Sequence, residues 1–222
     1  MSHHQTDCIL CKVVAGDQAV PFGFVMGKDR SIDQFILKTN TAHVIADVAP
    51  IVAGHFLIVT TTHITSLAQC TANQLSAIDN LKNRIGSQIE KNFGVSPIWF
   101  EHGECKSTSH DSCQVFHTHI HGLPVSAKVF NNIESKYDFN KLSGIKELTQ
   151  VGSDKSYLYI ECQAKGGRVA IMDPPSQFLR KIICEELNLN DRWNWHEQVS
   201  KESNRRLIED GLNKLRNIEL SV

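Results

Sequence analysis

Near the middle of the chain, the segment Val115-Phe116-His117-Thr118-His119-Ile120-His121-Gly122-Leu123-Pro124 places histidines at every second position. In a β-strand successive side chains point to opposite faces. Three imidazoles at this spacing therefore line one face, about 6.5–7 Å apart. Such a face is poor core material, because each buried ring needs hydrogen-bond partners. It suits a polyanion or a metal ion. The segment is thus expected to be a strand that presents its histidines to a functional surface.

The surrounding pattern supplies the rest of a sheet. Residues 34–39, 43–47 and 55–59 are short, rich in β-branched residues and bounded by Asn, Pro or Gly, and they read as strands. Across residues 71–93 the period changes: Leu75, Ile78, Leu81, Ile85 and Ile89 recur at three- and four-residue steps, one face of a helix. Thr71 or Asn73 is placed to cap its start, and Gly94 to end it in the left-handed conformation. Residues 97–100 and 114–125 return to strand character, separated by a polar loop at 101–113 of a length that is often functional. Residues 126–156 are polar and weakly patterned and read as a boundary or linker. Beyond them, 157–162 and 168–172 alternate around Lys165-Gly166-Gly167, which reads as a hairpin. Helices are expected over 176–187 and 201–216.

Bulk properties narrow the class. A chain of 222 residues can bury one good-sized core, or a domain with a substantial appendage. A net charge of -1 gives no argument for broad adhesion to nucleic acid or membrane. No apolar run approaches the ~20 residues that span a bilayer, and the start of the chain lacks the features of a signal peptide. The seven cysteines lack the density of a secreted disulfide scaffold, so a reducing, cytoplasmic setting is expected. There the pair Cys8-x-x-Cys11 would hold a metal or do redox chemistry.

His117-Thr118-His119-Ile120-His121-Gly122-Leu123 resembles the His-x-His-x-His-x-x signature of the histidine-triad superfamily. Other blocks resemble it too, in the same order. They are Cys8-Ile9-Leu10-Cys11-Lys12-Val13-Val14-Ala15-Gly16, then Ala46-Asp47-Val48-Ala49-Pro50, and then Gly54-His55-Phe56-Leu57-Ile58-Val59 with His63. Thr118, polar where an apolar residue is usual, and Gly122 depart from the pattern. Trp99-Phe100-Glu101-His102-Gly103 resembles a block of one bacterial branch that carries a C-terminal extension. Here Pro175 to Arg180 and Arg192-Trp193-Asn194-Trp195 look like that extension.

The resemblance implies an α+β fold with a five-stranded antiparallel sheet and helices. It divides the chain into a nucleotide-binding catalytic domain at 1–125 and a C-terminal α/β extension at 126–222, a hairpin plus two helices packed on it. It implies an enzyme, a nucleotide hydrolase or nucleotidyl transferase acting at the α-phosphate through a covalent nucleotidyl-histidine on His119. His121, and His117 beside it, would contact the phosphate. Substrates would be dinucleoside polyphosphates or nucleoside phosphoramidates. Asp47 would bind the ribose and Ile45 and Val48 the base, with Glu101 and Gln114 completing the nucleotide site. Cys8, Cys11, His63 and His117 would hold a structural zinc, which gives His117 two competing roles. A homodimer is expected. The alternatives are a non-catalytic nucleotide-binding module and the repair of adenylylated nucleic-acid ends. Arg180 or Gln177 could reach the phosphates, though an arginine on a helix surface is the commoner case. Trp193 and Trp195 read as packing anchors.

Overall fold

The computed structural model describes residues 8–17, 21–27, 32–103, 115–152 and 154–216. Two short helices, α1 (Ile9–Val14) and α2 (Pro21–Met26), precede three strands, β1 (Phe35–Lys38), β2 (Ala42–Ala46) and β3 (Phe56–Thr60). The long helix α3 (Ala72–Phe93) leads to β4 (Ile98–Gly103) and the histidine strand β5 (His119–Leu123). Thr71 closes the start of α3 in a reciprocal capping box with Gln74, and Gly94 ends the helix at φ 73°.

The expected five antiparallel strands are present in the order β1-β2-β3-β5-β4. The sheet does not stop there. It continues through β7 (Tyr157–Cys162), β8 (Gly166–Ile171) and β6 (Asn140–Leu142) to eight strands, because β7 pairs with β4 along six residues, from Ile98↔Cys162 to Gly103↔Tyr157. The hairpin read from the sequence thus occupies the free edge of β4 and satisfies its ladder groups.

Residues 126–156, expected to be a linker, are instead structured. They form α4 (Ala127–Lys136), β6 and a 3-10 turn at Ile145–Gln150. Ser126 caps α4 by accepting from the Lys128 N–H, and only Val129, Phe130 and Ile133 bury its inner face. Three apolar positions in ten residues are enough for a helix that covers a sheet, yet too few to show a clear period.

The sheet has a core on each face. Behind it, Leu75, Ile78, Ile85 and Ile89 of α3 pack on Val44, Ile58, Trp99 and Ile120. In front, the cover is split. Over β2 and β3 lie Leu10 and Val13 of α1, with Ile208 and Leu212 of α7 (Glu202–Arg216). Over β4 and β7 lie Phe130 and Ile133 of α4, with Leu179 and Ile182 of α5 (Phe178–Glu186). A further short helix, α6 (Trp195–Gln198), links the two groups. The cleft described below opens where these two front cores part.

The two departures noted in the histidine segment each have a local cause. Thr118 donates its hydroxyl to the Ile64 carbonyl at 2.9 Å, so its polar side chain is satisfied where it is buried. Gly122 lies under the ring of Phe56, and a Cβ there would come within 2.2 Å of it.

Candidate active site

Strand alternation places Ile120 in the rear core and turns His119 and His121 to the front. There they line an open cleft. Leu10 of α1, Ile45 of β2, Val48 of the loop that follows it and Leu57 of β3 form part of its wall. The N-terminus of α5, from Ser176 to Arg180, and Trp195 form another part. His121 stacks flat on Phe100 of β4, with centroids 4.4 Å apart and planes within 5°, as the register Phe100↔His121 requires.

Hydrogen bonds assign the protons of the three rings that matter. Nδ1 of His119 lies 2.6 Å from the His117 carbonyl, which can only accept. The proton is therefore on Nδ1, and Nε2 carries the lone pair. Burial, reinforced by the neighbouring His121, pushes the His119 imidazole down to about 4, so the ring is neutral at pH 7.

His55 immediately precedes β3 and is buried. The Ile51 N–H donates to its Nδ1 at 3.2 Å, which fixes the His55 proton on Nε2. That Nε2 lies 2.9 Å from Nδ1 of His121 and 3.3 Å from Oδ2 of Asp47. Donation to His121 leaves the proton of His121 on its own Nε2. A backbone N–H thus sets, through one intermediate ring, which nitrogen of His121 is a donor.

Asp47 lines the cleft but turns its carboxylate into the protein. Oδ1 accepts from the Ala49 N–H at 2.7 Å, and Oδ2 accepts from Nη1 of Arg180 at 3.0 Å. Burial alone would raise this carboxyl, but His55, Arg180 and His121 converge on it and hold it well below the usual carboxylate range. Arg180 is 5% exposed, not on a helix surface, and also donates to the carbonyls of Ala49 and Trp193. Breaking such a buried pair by removing one partner costs about 3–5 kcal/mol.

Glu101, expected among the nucleotide contacts, is on the other face of the sheet. It follows Phe100 in β4, so alternation turns it to the rear core. There its carboxylate accepts from the Leu67 N–H at 3.0 Å and from the Tyr157 hydroxyl, and burial pushes it up to about 8. Its neighbour His102 faces the cleft instead. Gln114, together with Cys105, His110 and Cys113, lies outside the described residues.

His117 does not line the cleft. Its Nε2 lies 2.8 Å from the Thr60 carbonyl and so is the protonated nitrogen. Nδ1 then points its lone pair at Cys8 Sγ and Cys11 Sγ, each 3.4 Å away. His63 Nδ1 is 3.2 Å from Cys11 Sγ, and one ligand atom from each of the four residues lies within 4.8 Å of all the others. With zinc–sulfur bonds of about 2.3 Å and zinc–nitrogen bonds of about 2.0–2.1 Å, a tetrahedron has sulfur–nitrogen edges of about 3.6 Å. The donor set and its separations fit a tetrahedral ion. Burial and the adjacent Cys8 push the Cys11 thiol up to about 12, so only a cation would hold it as a thiolate.

Three of these residues escaped the sequence reading in their roles. In the sequence His55 stands at the start of the run read as strand 55–59, His102 is only part of a block, and Arg180 reads as a solvated helix position.

Residues 21–135, more than half of the chain, match the family model described as "Scavenger mRNA decapping enzyme C-term binding". The chain belongs to the histidine-triad superfamily. Solved histidine-triad structures with a similar backbone include a zinc-bound family protein from Mycobacterium smegmatis, 18% identical over 66% of this chain and 90% of that one, with a TM-score of 0.41. A family protein from Bacillus anthracis is 17% identical over 58% of this chain and 93% of that one, also with a TM-score of 0.41. A protein described as involved in cell-cycle regulation, from Bartonella henselae, is 16% identical over 54% and 80%, with a TM-score of 0.40. Comparison with curated proteins gives no significant match. Among the described residues of this histidine-triad protein, no helix is long and apolar enough to cross a membrane.

Proposed function

We propose that this protein is a nucleotide hydrolase or nucleotidyl transferase that acts at the α-phosphate through a covalent intermediate on His119. The observation that carries the reading is the orientation of His119. The His117 carbonyl holds the proton on Nδ1, leaving a neutral ring in the cleft wall with Nε2 as its nucleophilic nitrogen.

In the first step Nε2 attacks the α-phosphorus, a nitrogen–phosphorus bond forms, and the bond to the leaving group breaks. In the second, water or another acceptor attacks the same phosphorus and the bond to His119 breaks, which divides one hard displacement into two easier ones. His121, its proton set on Nε2 by His55, donates to a phosphoryl oxygen as charge develops. The N-terminus of α5 adds the positive end of its dipole to the same cleft. Ile45, Val48, Leu10 and Leu57 offer an apolar surface for the base. Dinucleoside polyphosphates and nucleoside phosphoramidates fit this chemistry, since each presents an α-phosphorus with a leaving group.

Cys8, Cys11, His63 and His117 would hold zinc. The ion would be structural, joining α1, which contributes to the base-facing wall, to the start of the histidine strand. This reading gives His117 to the metal and, through its carbonyl, to the orientation of His119. A reducing, cytoplasmic setting would keep Cys8 and Cys11 available to the metal and Cys70, Cys162 and Cys184 as buried thiols. A homodimer would be built without the edge of β4, where β7 already sits. We retain a division near residue 125, where β5 gives way to α4.

The test is turnover of a nucleoside phosphoramidate by His119→Ala, with folding checked by circular dichroism. Loss of turnover is expected. Full turnover by a folded variant would refute the assignment.

A further inference from the structure

The C-terminal segment carries two tryptophans, and they are used differently. Trp193 is the packing anchor expected from the sequence. It lies against the front core of α4 and α5, with Lys181 Nζ 5.8 Å from the centre of its ring. Trp195, expected to be an anchor too, belongs to none of the three cores of the described residues. It lines the cleft instead. A large apolar ring left out of the cores and turned to a cleft offers contact area to a ligand.

Its position is held from several sides. The Trp195 N–H donates to Gln177 Oε1 at 3.0 Å. Gln177 takes φ 59° and ψ 20° to do so, a left-handed conformation uncommon outside glycine. On one side along the chain, the Trp193 carbonyl accepts from Arg180 Nε at 3.1 Å, and the same guanidinium donates to the Ala49 carbonyl at 2.6 Å. On the other, Asn204 Nδ2 donates to the Val48 carbonyl at 2.6 Å. The segment that carries Trp195 is thus fastened on both sides to the loop after β2. That loop contributes Val48 to the cleft wall, together with Ile45 of β2 and Leu10 of α1. His196 stacks on the indole, with centroids 3.7 Å apart and planes at 29°, and braces the ring.

The cleft therefore has an aliphatic wall and, fastened to the same loop, an indole. Every nucleobase has a π face, so stacking on an indole reads ring area rather than edge groups. We propose that Trp195 is a stacking platform for the nucleobase. The C-terminal extension then completes the base site and sets its preference for the larger ring system. The proposal deepens the nucleotide reading above and rests on it.

The experiment is calorimetric titration of the full chain with adenosine 5′-monophosphate, uridine 5′-monophosphate and ribose 5-phosphate, at one salt concentration. The adenine nucleotide is expected to bind more than about ten-fold tighter than the sugar phosphate that has no base, with the uracil nucleotide between them. Trp195→Leu keeps apolar bulk without a ring and should narrow that ratio about ten-fold, whereas Trp195→Phe should keep most of it. A ratio in folded Trp195→Leu equal to that of the wild type, or equal ratios in the Leu and Phe variants, would overturn the proposal and leave the nucleotide reading standing. Absence of binding of all three ligands to the wild type would overturn the nucleotide reading, and the proposal with it. Should Trp195→Leu not fold, the wild-type series still decides, because equal affinities for the three ligands would overturn the stacking platform.

Discussion

Replacing Glu101 with Gln should flatten the pH dependence of stability between about pH 4.5 and pH 8. The carboxyl is 1% exposed in the rear core, and burial outweighs the two donors that reach it, moving it from 4.5 to about 8. An acid whose pKa is raised on folding keeps its proton longer in the folded state than in the unfolded one. Its contribution is fully present below about 4.5, falls as the pH rises, and levels off above about 8. At 1.36 kcal/mol per pH unit, the displacement amounts to a ceiling of about 5 kcal/mol. Urea unfolding at pH 5, 6, 7, 8 and 9 for wild type and Glu101→Gln isolates this group, because every other titration is common to both. The wild type should lose more stability across the window than the variant. Equal slopes would refute the burial argument. Nucleotide affinity should be the same in both, since Glu101 is on the face of the sheet away from the cleft.

Three further outcomes follow from the geometry. His55→Gln should lower kcat of the proposed reaction about a hundred-fold with little change in KM, because His121 loses the partner that places its proton; steady-state kinetics will show whether kcat moves alone. Cys11→Ser should reduce bound zinc from about one per chain and lower Tm, read by elemental analysis and calorimetry; unchanged zinc would end the metal reading. Gly122→Ala should cost about 1–3 kcal/mol in urea unfolding, since the added methyl meets the Phe56 ring.

Much of this architecture was legible because it depends on local period. Alternating β-branched runs located the five strands, and the three- and four-residue steps with Thr71 and Gly94 bounded α3 almost to the residue. The division of labour between His119 and His121 on one side and His117 on the other was posed by the resemblance to the histidine-triad superfamily, which left both roles of His117 open. What the sequence could not supply was parity and long-range pairing. Whether Glu101 or His102 faces the cleft turns on a one-residue choice of face, which only packing against β7 and α3 decides. Asp47 and Arg180 are 133 positions apart, and no local pattern links them. Asp47, in a loop before Pro50, reads as a ribose contact and Arg180 as a solvated helix position, and nothing in either local pattern tells that the fold brings the two within a hydrogen bond. Helix α4 was hidden for a different reason: three buried apolar residues suffice when a sheet already waits beneath them.

The central claim is that Nε2 of His119 becomes bonded to the α-phosphorus. Intact-protein mass spectrometry after rapid acid quench of the full chain with adenosine 5′-phosphoramidate tests it directly. The account predicts a transient increase equal to one adenylyl group, mapped by fragmentation to His119 and absent from His119→Ala. Turnover without any adduct, or an adduct that persists in that variant, would contradict it.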